Sequence, residues 1–338
     1  MKTRVAINGF GRIGRTAFKI AFERPDIEVV AVNDLSDTKI LAHLLKYDSN
    51  YGTYKPEVGH DDTGIIVDGQ HIKVLAERDP SKLPWGAHQI DVVIEATGMF
   101  TKHQDLQVHI DAGARRVVLS APEKDDTEHD TYIMGVNEQD LKSEHTIISN
   151  ASCTTNCITP VAAIMESHFG IAKAMMTTVH SYTQSQRLQD SPAKDFREAR
   201  AAAENIVPTS TGATIAAAKA LPALEGIFDG MSIRVPTPVV SLADFTFVTK
   251  KKTSIEEVNE VFKKAAQEAF YQGILTVSGE PLVSSDYKGN SHSAIVDLAL
   301  TSVVGGDLVK VVAWYDNEWG YSNRLVEMVA EVGKLLHK

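Results

Sequence analysis

The chain has 338 residues, enough for about two domains of ordinary size. Apolar residues make up 43% of it and charged residues 23%, as in ordinary globular proteins, and a formal net charge of −10 argues against a general nucleic-acid binder. No apolar run approaches the roughly 20 residues that span a bilayer, and Cys153 and Cys157, the two cysteines, are too few for a zinc site and poorly spaced for a disulfide, so the expectation is a reducing, cytosolic compartment with no membrane partner and no metal.

Short apolar, β-branched runs alternate with helical stretches through the first half. Strands are predicted at residues 4–7, 28–33, 91–95, 116–120 and 146–150. That alternation reads as a parallel sheet with helices on its faces, and the nearly continuous apolar character of the strands fits a sheet covered on both sides. The pattern changes near Cys153. A helix is predicted to about residue 168 and a strand over 173–180, followed by a polar, irregular stretch over 181–200. An Ala-rich helix is predicted over Ala213–Ala220 and another helix over 255–271. Strands over 232–235, 239–249, 294–300 and 308–314 lack regular helical crossovers, which predicts a largely antiparallel sheet. The expected fold class is α/β: a Rossmann dinucleotide-binding domain over 1–152, and an α+β catalytic domain with a mostly antiparallel sheet over 153–315. The amphipathic helix within 316–338 is expected to pack back on the first domain.

Asn8-Gly9-Phe10-Gly11-Arg12-Ile13-Gly14 follows the first strand and opens a helix, which is the context that G-x-G-x-x-G requires. Gly9 permits a tight turn, Gly11 lets the backbone approach a pyrophosphate, and Gly14 lets helix and strand pack closely. The helix N-terminus favours the negative charge of that pyrophosphate. Asp34 ends the second strand about 20 residues beyond the glycines, where a carboxylate suits the ribose hydroxyls of NAD and repels the 2′-phosphate of NADP. Ala96-Thr97-Gly98 and Ser120-Ala121-Pro122 follow later strands and are candidate walls of the same crevice, because ligands of open α/β sheets bind at the carboxyl ends of strands.

Ser149-Asn150-Ala151-Ser152-Cys153-Thr154-Thr155-Asn156-Cys157 joins a strand end to a helix start. A cysteine in the first turn feels the positive end of the helix dipole, which favours the thiolate that acyl chemistry needs. Cys157, one turn further on, reads as a small buried apolar group. His180 ends an apolar strand and leads into a polar loop, a common catalytic address, although with twelve histidines in the chain spacing alone does not select it. Thr209-Ser210-Thr211-Gly212 precedes the Ala-rich helix and offers hydroxyls and amides to an anion. Arg234 lies in an otherwise apolar strand, where a guanidinium needs either a ligand anion or an internal carboxylate.

Together these segments resemble the phosphorylating (type I) glyceraldehyde-3-phosphate dehydrogenases. INGFGRIGR, AVNDL, LLKYDS, ATGMFT, LSAP, SNASCTTNC, TTVHSYT, PTSTGA, RVPTP and WYDNEWGYS carry the resemblance from Val5 to about Arg324, with SNASCTTNC and WYDNEWGYS the most specific. The resemblance implies a glycolytic or gluconeogenic enzyme that oxidises glyceraldehyde 3-phosphate with NAD and inorganic phosphate to 1,3-bisphosphoglycerate. It implies Cys153 as nucleophile, carrying a hemithioacetal and then a thioester, with His180 as acid–base partner. Thr183 and Arg234 match the site for the substrate's own phosphate, and Ser152, Thr154, Thr211 and Gly212 the site for attacking phosphate. Gly11, Arg12, Ile13, Asp34, Arg78, Ser120 and Asn317 match cofactor contacts, with Tyr321 by the nicotinamide. A homotetramer is implied, with the 181–200 stretch at its core.

The chain departs from the family in that stretch. Arg197-Glu198 stands where many bacterial members have two arginines, and Glu198 cannot hold phosphate as the second of them does. Gln184 and Ser185 stand where Asn and Asp are frequent. Ser191-Pro192 stands where NAD-specific members often have Leu-Pro, and Pro192 with Asp34 favours NAD. The alternative within the family's neighbourhood is an erythrose-4-phosphate dehydrogenase, against which Ser181-Tyr182-Thr183 and Ser120-Ala121-Pro122 weigh.

Overall fold

The computed structural model describes residues 2–124 and 131–336. The chain divides into two compact units, one of Met1–Tyr132, Glu138–Ala151 and Ser322–Lys338, the other of Ile133–Asn137 and Ser152–Tyr321.

The first unit is built on a sheet whose parallel part consists of β1 (Thr3–Asn8), β2 (Ile27–Asn33), β7 (Gln70–Leu75), β8 (Val92–Glu95), β9 (Arg116–Leu119) and β10 (Ile147–Ser149). Between β2 and β7 come the short hairpin β3 (Tyr47–Asp48) and β4 (Gly52–Thr53), then β5 (Val58–His60) and β6 (Gly64–Val67), which extend the main sheet antiparallel at its edge. The spatial order is β10-β9-β8-β1-β2-β7-β6-β5. Successive strands run outward from β1 on one side and then resume at β8 on its other side. The carboxyl ends of β1 and β8 therefore flank a topological switch point, where open α/β sheets bind ligands.

Helices α1 (Arg12–Phe22), α2 (Thr38–Lys46) and α3 (His103–Asp111) belong to this unit. α1 turns Ala17, Phe18 and Ala21 inward, and Phe18 meets the buried ring of Phe10 edge to face at 5.6 Å. Full burial of a phenyl side chain contributes about 1.5–3 kcal/mol, so Phe10 anchors the turn between β1 and α1. α2 was not expected from the sequence; Asp37 caps it by accepting from the Ile40 amide at 2.8 Å. Beneath β8 and β9, Leu83, Trp85, Ile90, Val93, Leu106 and Val117 form a buried cluster.

The second unit contains β11 (Ile171–Ser181), β12 (Val207–Ser210), β13 (Phe228–Val235), β14 (Ser241–Thr249), β15 (Leu275–Ser278), β16 (Ala294–Asp297), β17 (Ser302–Val304) and β18 (Leu308–Tyr315). Their order is β12-β13-β11-β14-β18-β16-β15, with β17 beside β18. β11 runs parallel to β13 and β15 to β16, and the remaining pairs are antiparallel. β14 alternates buried and half-buried residues over its whole length, as a strand with one covered face must. α4 (Cys153–Phe169), α5 (Ala213–Ala220) and α6 (Ile255–Ala265) supply that cover, with Ile158, Val161, Met165, Phe245, Phe247 and Phe262 at the centre of the core. α7 (Trp319–Leu335) begins in this unit and continues into the segment that belongs to the first.

Several predicted boundaries move. The strand expected over 294–300 stops at Asp297, whose carboxylate accepts from the Ala299 amide and turns the chain into a single helical turn, Leu298–Leu300. The helix expected over 255–271 ends at Ala265; the amides of Gln267 and Glu268 bond three residues back, tightening the chain out of α-geometry. β13 begins four residues before its predicted start, because Asp229-Gly230, a turn signal in sequence, is paired in the ladder with Met175 and Met176.

Candidate functional site

Each unit carries its own constellation. In the first, Gly9 has φ +92°, and a Cβ there would lie 2.7 Å from the amide nitrogen of Thr97. Gly14 is packed more tightly still: its Cβ would stand 2.0 Å from the Gly9 carbonyl oxygen. At Gly11 a Cβ would meet nothing within 4 Å, and Gly11 caps α1 without any side-chain hydrogen bond. The backbone at the helix start is thus bare and approachable, with no acidic residue in the first turn. Asp34 lies half-buried beyond β2, where it accepts from the Phe10 amide at 3.0 Å and the Ser36 amide at 3.0 Å. A bare helix N-terminus, an unobstructed Gly11 and an oriented carboxylate at the next strand end fit a dinucleotide. Ile13 is half-buried, and Arg12 is held by Asp48 at 2.6 Å. Arg78 is exposed beyond β7, and Ser120, at the end of β9, donates its amide to the Glu95 carbonyl at 2.9 Å.

In the second unit, Ser152 caps α4, its Oγ accepting from the Thr155 amide at 3.1 Å. A cap of this kind stabilises a helix by about 1 kcal/mol and here places Cys153 at the first helical position. His180 stands near the end of β11, buried, with Nε2 3.5 Å from Cys153 Sγ. In the parallel register of β11 and β13, His180 lies opposite Arg234. The guanidinium consequently rests against the imidazole Nδ1, and its Nη1 donates to the Ser181 carbonyl at 3.3 Å. Nδ1 is also 2.6 Å from that carbonyl. Nδ1 can donate to that carbonyl, which leaves Nε2 as an acceptor facing the thiol, or accept from Arg234 Nη1, which puts the proton on Nε2.

Burial and then the neighbouring Arg234 charge push His180 down to about 3, so the ring is neutral at physiological pH. The sequence predicts that the helix dipole favours a thiolate at Cys153. In the structure burial is the larger influence and pushes the thiol up, with Arg234 and the Thr154 hydroxyl and amide pulling the other way. The free protein therefore holds a thiol beside a neutral imidazole. Arg234 Nε is buried without a hydrogen-bond partner among the described residues, which leaves its guanidinium with donor capacity for an anion.

Cys153, His180, Arg234 and Thr154 thus come together. Other predicted residues stand apart from that contact set. Thr211 and Gly212 follow β12, whose register sets Val207 opposite Arg234 and Ser210 opposite Met231, so they lie beyond the far end of that strand. There Thr211 Oγ1 accepts from the Ala213 amide at 3.2 Å, and Gly212 starts α5. Thr183 Oγ1 is hydrogen-bonded to Ser185 Oγ at 3.0 Å. Asn317 is buried, with its Oδ1 accepting from Ser241 Oγ at 3.1 Å, which fixes the carboxamide's orientation; Tyr321 is also buried. In the irregular stretch Arg200 is engaged by Asp190 at 2.7 Å, Arg197 is exposed and Glu198 is half-buried.

Sequence reasoning assigned no role to Tyr315. Its hydroxyl, fully buried, bridges Thr154 Oγ1 at 2.9 Å and Thr178 Oγ1 at 2.8 Å, and its ring meets the His180 ring edge-on at 6.1 Å. One phenol thus braces both the start of α4 and the end of β11. Ser241 was missed as well. No local pattern announces either residue; both become visible only when β14 pairs with β11 and β18 with β14. Ala151, with φ +51°, is a non-glycine residue in the left-handed region immediately before the cap, held by its amide's bond to Ser149 Oγ at 3.1 Å.

Residues 3–103 match the family model for the glyceraldehyde 3-phosphate dehydrogenase NAD binding domain, and residues 152–317 match that for the same enzymes' C-terminal domain. The chain is 52% identical to glyceraldehyde-3-phosphate dehydrogenase 1 of Bacillus subtilis over 99% of both chains. It is 53% identical to the glyceraldehyde-3-phosphate dehydrogenase of Geobacillus stearothermophilus over 98% of both. Against glyceraldehyde-3-phosphate dehydrogenase 2 of Nostoc sp. it is 53% identical over 97% of this chain and 98% of the relative. With two family models in series and identity sustained from end to end, the cofactor is NAD and the chain belongs to the glyceraldehyde-3-phosphate dehydrogenase family.

Proposed function

We propose that the chain catalyses the phosphorylating reaction, in which glyceraldehyde 3-phosphate, inorganic phosphate and NAD give 1,3-bisphosphoglycerate and NADH. The observation that carries this reading is the 3.5 Å approach of Cys153 Sγ to a neutral His180 Nε2, with a guanidinium against the same ring. We assign residues 1–152 to cofactor binding, together with 316–338, and 153–315 to catalysis.

The steps follow from those groups. Cys153 sulfur adds to the aldehyde carbon as its proton passes to His180 Nε2 and on to the carbonyl oxygen, giving a hemithioacetal. His180 then takes the hydroxyl proton as the carbon gives up its hydride, leaving a thioester. NAD, when bound, supplies the hydride acceptor. An oxygen of inorganic phosphate attacks the thioester carbon, the acyl phosphate departs, and the Cys153 thiolate recovers a proton from His180. The backbone amide of Cys153 and the protonated imidazole stabilise the oxyanions. Arg234, with Thr183, holds the substrate's phosphate; a dianion there offsets the positive charge that adds to burial in keeping His180 neutral, and makes the ring a better proton acceptor during turnover. Ser152, Thr154, Thr211 and Gly212 receive the attacking phosphate. Gly9, Gly11, Arg12, Ile13, Gly14, Asp34, Arg78, Ser120, Asn317 and Tyr321 hold the cofactor.

A cytosolic homotetramer is the proposed state. Leu188 is 83% exposed and Phe196 90% exposed in the 181–200 stretch, apolar surface that a second copy of the chain would cover. No helix among the described residues is long and apolar enough to cross a membrane. Initial rates decide the function: NADH should form only when the triose phosphate and inorganic phosphate are both present. A rate independent of phosphate, or a higher kcat/KM for erythrose 4-phosphate, overturns the reading.

A further inference from the structure

Beneath the glycine turn lies a second constellation of titratable groups, which the chemistry above does not use. Trp85, Glu95 and His109 are each fully buried. Trp85 Nε1 donates to His109 Nδ1 at 3.0 Å. Indole nitrogen only donates, so Nδ1 carries no proton, and the proton of neutral His109 sits on Nε2, which faces Glu95 Oε2 at 3.1 Å. That oxygen also accepts from Asn8 Nδ2 at 2.6 Å. The other oxygen, Oε1, accepts from the Thr97 amide at 2.8 Å and from the Thr97 hydroxyl. Thr97 Oγ1 in turn accepts from the Met99 amide at 3.1 Å. Asn8 Oδ1 accepts from Asn33 Nδ2 at 2.7 Å, and Asn33 is clamped to both backbone groups of Glu77, at 2.8 Å and 2.9 Å.

Every donor in this chain has one direction, and the four acceptor directions of Glu95 are all taken. The carboxylate thereby ties together Asn8 at the end of β1, Thr97 beyond β8 and, through Asn8, Asn33 at the end of β2. Those are the strand ends that frame the switch point. The Gly9 turn rests directly on the strap, since a Cβ at Gly9 would lie 2.7 Å from the Thr97 nitrogen. Movement of Thr97 must move the turn.

We infer that Glu95 and His109, oriented by Trp85, are positioning residues for NAD: they hold the Asn8–Gly9 turn and the Thr97–Met99 segment in the shape the dinucleotide requires, without touching it. The inference rests on the placement of NAD at Gly9–Gly14. In Glu95→Gln an amide NH2 replaces one acceptor oxygen and confronts two donors. His109→Leu removes the Nε2 donor, and His109→Gln can restore both of its bonds. NAD affinity by calorimetry, KM and kcat, thermal midpoint, and the alkylation rate of Cys153 should be measured for each variant, with Gly11→Val, whose side chain fills open space, as the reference.

Kd and KM for NAD should rise at least about tenfold in Glu95→Gln and His109→Leu, with kcat at saturating NAD and the alkylation rate within about twofold of wild type. His109→Gln should return most of the affinity. Should Gly11→Val lose NAD while Glu95→Gln and His109→Leu lower only the thermal midpoint, the network is merely structural and the inference fails. Should Gly11→Val itself bind NAD normally, it is the cofactor placement that fails. If Glu95→Gln does not fold, the His109→Leu and His109→Gln pair decides by the same criteria.

Discussion

The two halves of the chain solve the problem of placing polar groups in opposite ways. Around Glu95 the polar atoms are buried and saturated: each acceptor has its donor, and the orientation of every ring and amide follows. Around Cys153 the groups are also largely buried but left short, with Arg234 Nε unpartnered among the described residues and His180 pushed down to about 3. Saturation gives a rigid frame; deficiency gives groups that a substrate anion can complete. The comparison teaches that burial alone does not mark a reactive site, whereas burial with donor capacity left over does.

Replacing the sulfur tests that contrast most severely. Cys153→Ala should lower the rate of NADH formation by roughly ten-thousandfold or more while NAD affinity stays within about twofold, because the cofactor frame is built from other residues. A loss of NAD binding of similar size would show that the two constellations are one. The next effect is on stability. His180 ordinarily titrates near 6.5 and in the folded chain near 3, so the unfolded chain takes up a proton first as pH falls. Stability should be full above pH 6.5 and decline by about 4 kcal/mol as pH drops toward 3. His180→Asn should flatten that decline in urea titrations at a series of pH values; an unchanged slope would mean that the ring is not held neutral.

Gly14→Ala addresses the frame. Its methyl group would stand 2.0 Å from the Gly9 carbonyl oxygen, a backbone atom with little room to yield, and the variant should lose about 3 kcal/mol by urea unfolding. Survival at wild-type stability would show the frame to be softer than its saturation implies. The smallest expected effect is that of Tyr315→Phe. Thr154 and Thr178 lose their shared partner, which should cost about 1 kcal/mol of stability and lower kcat several-fold without changing KM for NAD. A changed cofactor KM would sever the distinction between the halves.

The difference between the halves also sets how much could be read in advance. The β1–turn–α1 unit is local: Gly9 and Gly14 meet one another or the neighbouring strand end and Phe10 meets Phe18, so their spacing already encodes their geometry. The thiol site is assembled from β11, β13 and β18 and the start of α4, segments separated by tens of residues. Periodicity cannot say that His180 and Arg234 face one another; the resemblance paired His180 with Cys153 and Arg234 with Thr183, and only the register of β11 with β13 sets the imidazole against the guanidinium. Tyr315 and Ser241 act through neighbours on other strands and leave no trace in local pattern. β13 runs back past its predicted start because Asp229 and Gly230 pair in the ladder with Met175 and Met176. The thiol's ionisation was misjudged for a related reason: the helix start is evident in sequence, but the depth at which it is buried is not.

The parallel pairing of β11 with β13 has one further consequence. Side chains on neighbouring positions of a strand point to opposite faces, so a slip of a single residue would carry the guanidinium of Arg234 to the wrong side of the sheet. A chain misaligned there would keep its sulfur and its imidazole yet lack the guanidinium proposed above to answer the substrate's charge. Correct alignment is thus proofread by chemistry, and a mispaired molecule would be a silent one rather than one that processes the wrong aldehyde.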